Sequence, residues 1–130
     1  MKLFTIDDDE LIHKLYGLYL NDLMSGYRME SFFNGYDAIK YFEDHHSDGF
    51  DLPDLIILDI NMPIMDGVEF LHQFNTIAPL LSKVPSIFIV TSCLLEEDYL
   101  RNLNYVTGVF NKPILKNTLK DMIFNQMQYD

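Results

Sequence analysis

At 130 residues, with 48% apolar and 22% charged positions, the chain has the size and composition of one globular domain rather than a disordered segment. A formal net charge of −11 argues against nucleic acid or an anionic membrane as a partner, because both call for a basic footprint. The single cysteine, Cys93, excludes a disulfide framework and a multi-cysteine metal site and reads as a small buried hydrophobe.

In chain order, Lys2–Ile6 reads as a first strand. Asp9 is placed to cap a helix with an apolar stripe of Leu11, Leu15, Tyr19 and Leu23, flanked by Ile12 and Tyr16. A weaker strand, Met29–Phe33, leads through the turn Asn34-Gly35 to a helix carrying Ala38, Ile39 and Phe42. Leu55–Ile60 is the third strand, and Val68, Leu71 and Phe74 mark a third helix that ends before Pro79. Ser86–Thr91 follows as a fourth strand, then a short polar helix around Leu95–Leu103 that Asn102 and Asn104 weaken. Val106–Phe110 is the fifth strand, and Leu115, Leu119, Met122, Ile123 and Met127 form the last helical stripe.

Leu55–Leu58 and Ile87–Val90 are continuous apolar runs, as strands covered on both faces are. Strands alternating with helices predict an α/β fold with a parallel sheet. The five units fill residues 1–130, so a single domain with no room for a second is expected. The opening MKLFTIDDDE has too short an apolar run for a signal peptide, and no run approaches the ~20 residues of a membrane span, so a cytoplasmic location is expected.

The chemistry-bearing residues sit where strands end. Asp7, Asp8 and Asp9 follow the first, Asp59 closes the third, Thr91 and Ser92 end the fourth, and Lys112 and Pro113 follow the fifth. In an open parallel sheet, ligands bind outside the carboxyl ends of the strands, where strand order reverses. Taken singly, each residue has a plain explanation as a helix cap, a loop acid, a strand end or a solvated lysine. Together, clustered carboxylates raise one another's pKa values, a cost that a hard divalent cation offsets. Mg2+ fits best, because it keeps waters that a phosphate can replace.

Phe4-Thr5-Ile6-Asp7-Asp8-Asp9, Asn34-Gly35-Tyr36-Asp37-Ala38, and Leu58 through Gly67 with its Met62-Pro63 and Asp66-Gly67 steps resemble the response-regulator receiver family. Val90-Thr91-Ser92 and Asn111-Lys112-Pro113 complete the set in the family's order. The resemblance implies a doubly wound, flavodoxin-like (βα)5 fold with strand order 2-1-3-4-5. It implies that Asp59 accepts a phosphoryl group from a sensor histidine kinase or a histidine phosphotransfer protein. Mg2+ would be bound by Asp8, Asp59 and the backbone carbonyl of Asn61, with Asp7 acting mainly through water. Thr91 would hydrogen-bond the phosphoryl oxygen, Lys112 would pair with its charge, and the Lys112–Pro113 bond would be cis. Such a protein catalyses its own phosphorylation and dephosphorylation without being a conventional enzyme, and it signals by contact with a protein target.

The family usually carries Tyr or Phe three residues before the lysine, where this chain has Val109 and places the aromatic next, at Phe110. Strand alternation turns Phe110 to the other face, so activation without rotation of an aromatic ring is expected. Asn61 and Cys93 fall at the two positions that resemble the family's tuners of dephosphorylation rate. His45 and His46 read as a solvated helix end rather than a metal site, and His13 and His72 as surface positions. Three alternatives share parts of the pattern. A haloacid-dehalogenase-type phosphatase would use Asp7 as nucleophile but lacks an acidic pair after Lys112. A flavodoxin-like cofactor binder would need a phosphate loop where three aspartates stand. A receiver fold that never takes phosphate would serve only as an interaction module.

Overall fold

The computed structural model describes residues 1–92 and 96–129, with side chains described through 124. Cys93, Leu95 and the side chain of Met127, all assigned from the sequence, lie outside the described residues. The elements run β1 (Lys2–Ile6), α1 (Glu10–Leu23), β2 (Arg28–Phe32), α2 (Gly35–His45), β3 (Leu55–Leu58), α3 (Gly67–Ile77), β4 (Ser86–Thr91), α4 (Glu97–Arg101), β5 (Val106–Asn111) and α5 (Lys116–Tyr129). A short 3-10 turn, Ala78–Leu80, follows α3. The five strands form one parallel sheet in the order β2-β1-β3-β4-β5, as the resemblance implied. No described helix is long and apolar enough to cross a membrane.

Strand side chains alternate between two cores. Phe4, Ile6, Ile56, Leu58, Ile87 and Ile89 face α2, α3 and α4, where they meet Phe42, Phe70, Phe74 and Leu100. Leu3, Leu55, Ile57, Phe88 and Val90 face α1 and α5, where they meet Tyr16, Leu20, Leu119 and Met122. Burial on both faces is why β3 and β4 read as unbroken apolar runs. Side-chain oxygens fix where the first three helices begin. Asp9 accepts from the Leu11 amide, Asn34 from Asp37 and Asp66 from Glu69.

The α1 face differs from the stripe read in the sequence. Leu11 is 71% exposed, and the buried residues of the helix are His13, Tyr16 and Leu20. The helix is turned so that His13, expected at the surface, faces the sheet. Its polar ring is tolerated there because both nitrogens find partners.

At β5 the pairing slips, with Ile87 opposite Val106 but Phe88 opposite Gly108. This bulge resets the alternation. Val109 joins the core under α3 and α4, while Phe110 packs on the α1/α5 side beside Phe88, ring centroids 5.9 Å apart.

Candidate functional site

Hydrogen bonds that continue the sheet beyond the strand ends position the residues singled out in the sequence. The Asp7 amide donates to the Phe32 carbonyl (3.0 Å), the Asp59 amide to Ile6 (2.8 Å) and the Lys112 amide to Thr91 (2.8 Å). Asp7, Asp59 and Lys112 therefore each sit one residue past a strand, on backbone still held by its neighbour. Asp7, Asp8 and Asp59 come together so closely that one carboxylate oxygen from each lies within 4.8 Å of the others. Asp7 and Asp59 are buried and Asp8 is exposed.

Lys112 reaches into this group, with Nζ 2.8 Å from Asp7 Oδ2 and 3.3 Å from Asp59 Oδ1. Burial pulls the lysine pKa down, but the hydrogen bond to Asp7 and the charges of Asp59 and Asp7 outweigh it and hold the ammonium above its usual value. Asp59 is pushed up to about 6, by burial first and by the charge of Asp7 second, against the opposing pull of Lys112 and the Ile60 amide. Beneath them, the Tyr16 hydroxyl is raised by burial and by the same two aspartates.

The buried Thr91 ends β4, and alternation puts it on the Val109 face, away from Phe110. Asn61 is exposed, two residues past Asp59. Three carboxylates sharing one ammonium leave surplus negative charge, and an all-oxygen donor set of this kind suits a hard divalent cation. Among the described residues, this trio is the group of acids, histidines and cysteines that could hold a metal ion. His45 stacks on Tyr41 (4.1 Å) and donates from Nδ1 to the Tyr41 carbonyl, while His46 bonds the Glu43 carbonyl. The Lys112–Pro113 bond is cis, as expected.

The loop after Asp59 is clamped from both sides. The Gly67 amide donates to the Ile60 carbonyl (2.8 Å) and the Gly35 amide to Met65 (2.9 Å). A side chain at Gly35 would place Cβ 2.7 Å from the Met65 carbonyl oxygen, so that close approach depends on glycine. The tight turn leaves Ile64, 77% exposed, at φ 68°. A β-branched residue in this region carries about 1–2 kcal/mol of strain, whereas Asn tolerates it. Ile64→Asn is expected to raise stability by about 1 kcal/mol, read from the urea midpoint at unchanged slope.

Comparison with known proteins decides the family. The family model for the response regulator receiver domain matches residues 3–124. The chain belongs to the response regulator receiver family. Among relatives of this receiver, the transcriptional regulatory protein FlgR of Helicobacter pylori is 31% identical over 124 residues, covering 95% of this chain and 29% of FlgR. The regulator ycf29 of Porphyra purpurea is 29% identical over 127 residues, covering 94% of this chain and 56% of ycf29. The receiver thus spans about half the length of ycf29 and less of FlgR. Among solved structures, the chemotaxis protein CheY4 of Vibrio cholerae is 26% identical with a TM-score of 0.74, covering 95% of this chain and 96% of that one. The response regulatory domain of MrkE from Klebsiella pneumoniae shares the fold at 22% identity and a TM-score of 0.77, covering 99% and 97% of the two chains.

His13 is the residue that sequence reasoning missed. A signal was available in Thr5, a hydroxyl inside an apolar strand with 0% exposure. A buried hydroxyl there requires a polar partner from the covering helix.

Proposed function

We propose that this receiver accepts a phosphoryl group on Asp59 from a histidine kinase or histidine phosphotransfer protein and passes the signal on through protein contacts. The observation that carries the reading is the convergence of Asp7, Asp8, Asp59 and Lys112 on one rim in a chain of the receiver family. A carboxylate oxygen of Asp59 attacks phosphorus, and the P–N bond to the donor imidazole breaks. Its electron pair stays on the imidazole nitrogen, which takes up a proton, and an aspartyl phosphate is left. With its pKa near 6, Asp59 is mostly ionised at neutral pH and available as the nucleophile.

Catalysis is by positioning and charge neutralisation. Asp7, Asp8, Asp59 and the Asn61 backbone carbonyl would hold Mg2+, whose charge, when bound, offsets that of the transferring group. Lys112 shifts its pairing toward the phosphoryl oxygens, and the Thr91 hydroxyl donates to one of them. Water attack on the aspartyl phosphate later restores Asp59, so the chain catalyses its own phosphorylation and dephosphorylation. Val109 puts no ring beside Thr91, so we read activation as proceeding without aromatic rotation. The acidic surface and the kind of partner fit a cytoplasmic protein that contacts neither nucleic acid nor membrane.

Incubation with a small acyl phosphate and Mg2+, followed by peptide mapping, tests the reading. The expected result is an alkali-labile phosphoryl group on the peptide containing Asp59, which does not form when a chelator is present during the incubation. Label on the Asp7 peptide would point to phosphatase-type chemistry. No label at all would leave an interaction module.

A further inference from the structure

We propose that His13 is a positioning residue for the acidic rim, fixing the Asp7–Asp8 peptide so that both carboxylates are aimed for a divalent cation. This deepens the phosphoacceptor reading and rests on it. His13 is 4% exposed on α1, behind the site rather than in it. Its Nε2 lies 2.7 Å from the Asp7 carbonyl oxygen. A carbonyl only accepts, so Nε2 carries the hydrogen and donates. Nδ1 lies 2.6 Å from Thr5 Oγ1, which in turn reaches Ser31 Oγ at 3.3 Å. The ring of Phe33 stands edge-on against the imidazole at 4.8 Å. The imidazole is thereby held at both nitrogens and packed against an aromatic ring.

What it holds is a carbonyl beyond the end of β1, whose ladder stops at Ile6. A buried carbonyl outside a ladder needs a donor from elsewhere, and His13 supplies it. The other polar atoms of Asp7 are engaged as well. Its amide donates to Phe32, Oδ1 accepts from the Asp9 amide at 2.9 Å, and Oδ2 pairs with Lys112. Because the peptide unit is planar, orienting the Asp7 carbonyl also orients the Asp8 amide, and with it the direction in which the Asp8 side chain leaves the backbone. Mutual repulsion among the carboxylates would turn this peptide away, and His13 opposes that. Partners one hydrogen bond behind a metal's ligands commonly govern affinity in this way.

The test compares His13→Gln, whose amide nitrogen can replace Nε2, with His13→Asn, which can replace only Nδ1. Mg2+ is titrated into the 15N-labelled full chain while the amide signals of Asp8 and Asp59 are followed, and urea unfolding is recorded in parallel. His13→Asn is expected to weaken Mg2+ binding about tenfold, and His13→Gln to restore most of it, although both lose the same ring packing. Thr5→Val removes the second anchor without touching Asp7 and is expected to give a smaller loss in the same direction, a check that survives if His13→Asn fails to fold. Equal affinity in His13→Gln and His13→Asn, or a loss that follows unfolding stability alone, would overturn the positioning role while leaving the phosphoacceptor reading intact. A wild-type chain with no saturable Mg2+ response would overturn both.

Discussion

Asp59→Asn is expected to reduce Mg2+-dependent labelling by an acyl phosphate to background, and at the same time to make the metal-free protein more stable at neutral pH. The first effect follows from chemistry, since the amide keeps the shape of the carboxylate but offers no anionic oxygen to attack phosphorus. The neighbouring acids do not substitute. Asp7 Oδ1 and Oδ2 are committed to the Asp9 amide and to Lys112, and Asp8 is exposed rather than enclosed beside Lys112.

The second effect follows from linkage. Asp59 titrates near 6 in the folded chain but near the ordinary ~3.9 when unfolded. Between those values the folded state binds more protons than the unfolded state, so stability falls as pH rises from about 4 to about 6. Asparagine removes that slope. After allowance for solvent screening at the rim and for the lost pairing with Lys112, the gain is about 1–2 kcal/mol at pH 7 and nil near pH 4. Urea unfolding at the two pH values checks it. Added Mg2+ should narrow the difference, because it stabilises the wild type in proportion to its binding and has less to hold in the variant.

Gly67→Ala is expected to be the most damaging single-methyl change in the loop that carries the acceptor. Its Cβ would fall 2.4 Å from the Asp59 carbonyl oxygen and 2.9 Å from the Ile60 Cα, contacts that only a backbone shift relieves. That backbone has little room to move, because the Asp59 amide is bonded to Ile6 and the Gly67 amide to Ile60. A loss of about 3 kcal/mol in urea unfolding is expected, at the upper end for overpacking, with a labelling rate at least about tenfold lower. Gly26→Ala serves as the control. That site has φ +72° and nothing within 4 Å of the added carbon, so it carries only a conformational cost of about 1 kcal/mol and should leave labelling unchanged.

Most of the architecture was legible because the sheet is covered on both faces, which writes β3 and β4 as unbroken apolar runs. The acidic and basic positions of the rim could be read because each lies directly after such a run. Strand ends were less legible. The third was expected to reach Ile60 and stops at Leu58, since Asp59 bonds to Ile6 through its amide outside the regular ladder. The α1 face was misjudged because apolar spacing alone favoured Leu11. The helix is instead turned by a buried polar network from Thr5 through His13 to Asp7, which hydrophobic periodicity does not register. The bulge in β5 was likewise invisible. The opposite orientations of Val109 and Phe110 follow from strand alternation in any register, but which core each one enters depends on the extra residue at Thr107.

Lys112 belongs to β5's end, and β5 is an edge strand, held to the sheet by β4 alone. The ammonium between Asp7 and Asp59 is therefore on loan from the border of the molecule. Any opening that peels β5 from β4 withdraws it and leaves two buried carboxylates facing each other without their counter-charge. That repulsion raises the cost of the opened state and favours return of the ammonium. The grip of the last strand and the readiness of the acceptor thus rise and fall together, which makes reactivity a property of the completed fold rather than of any segment within it.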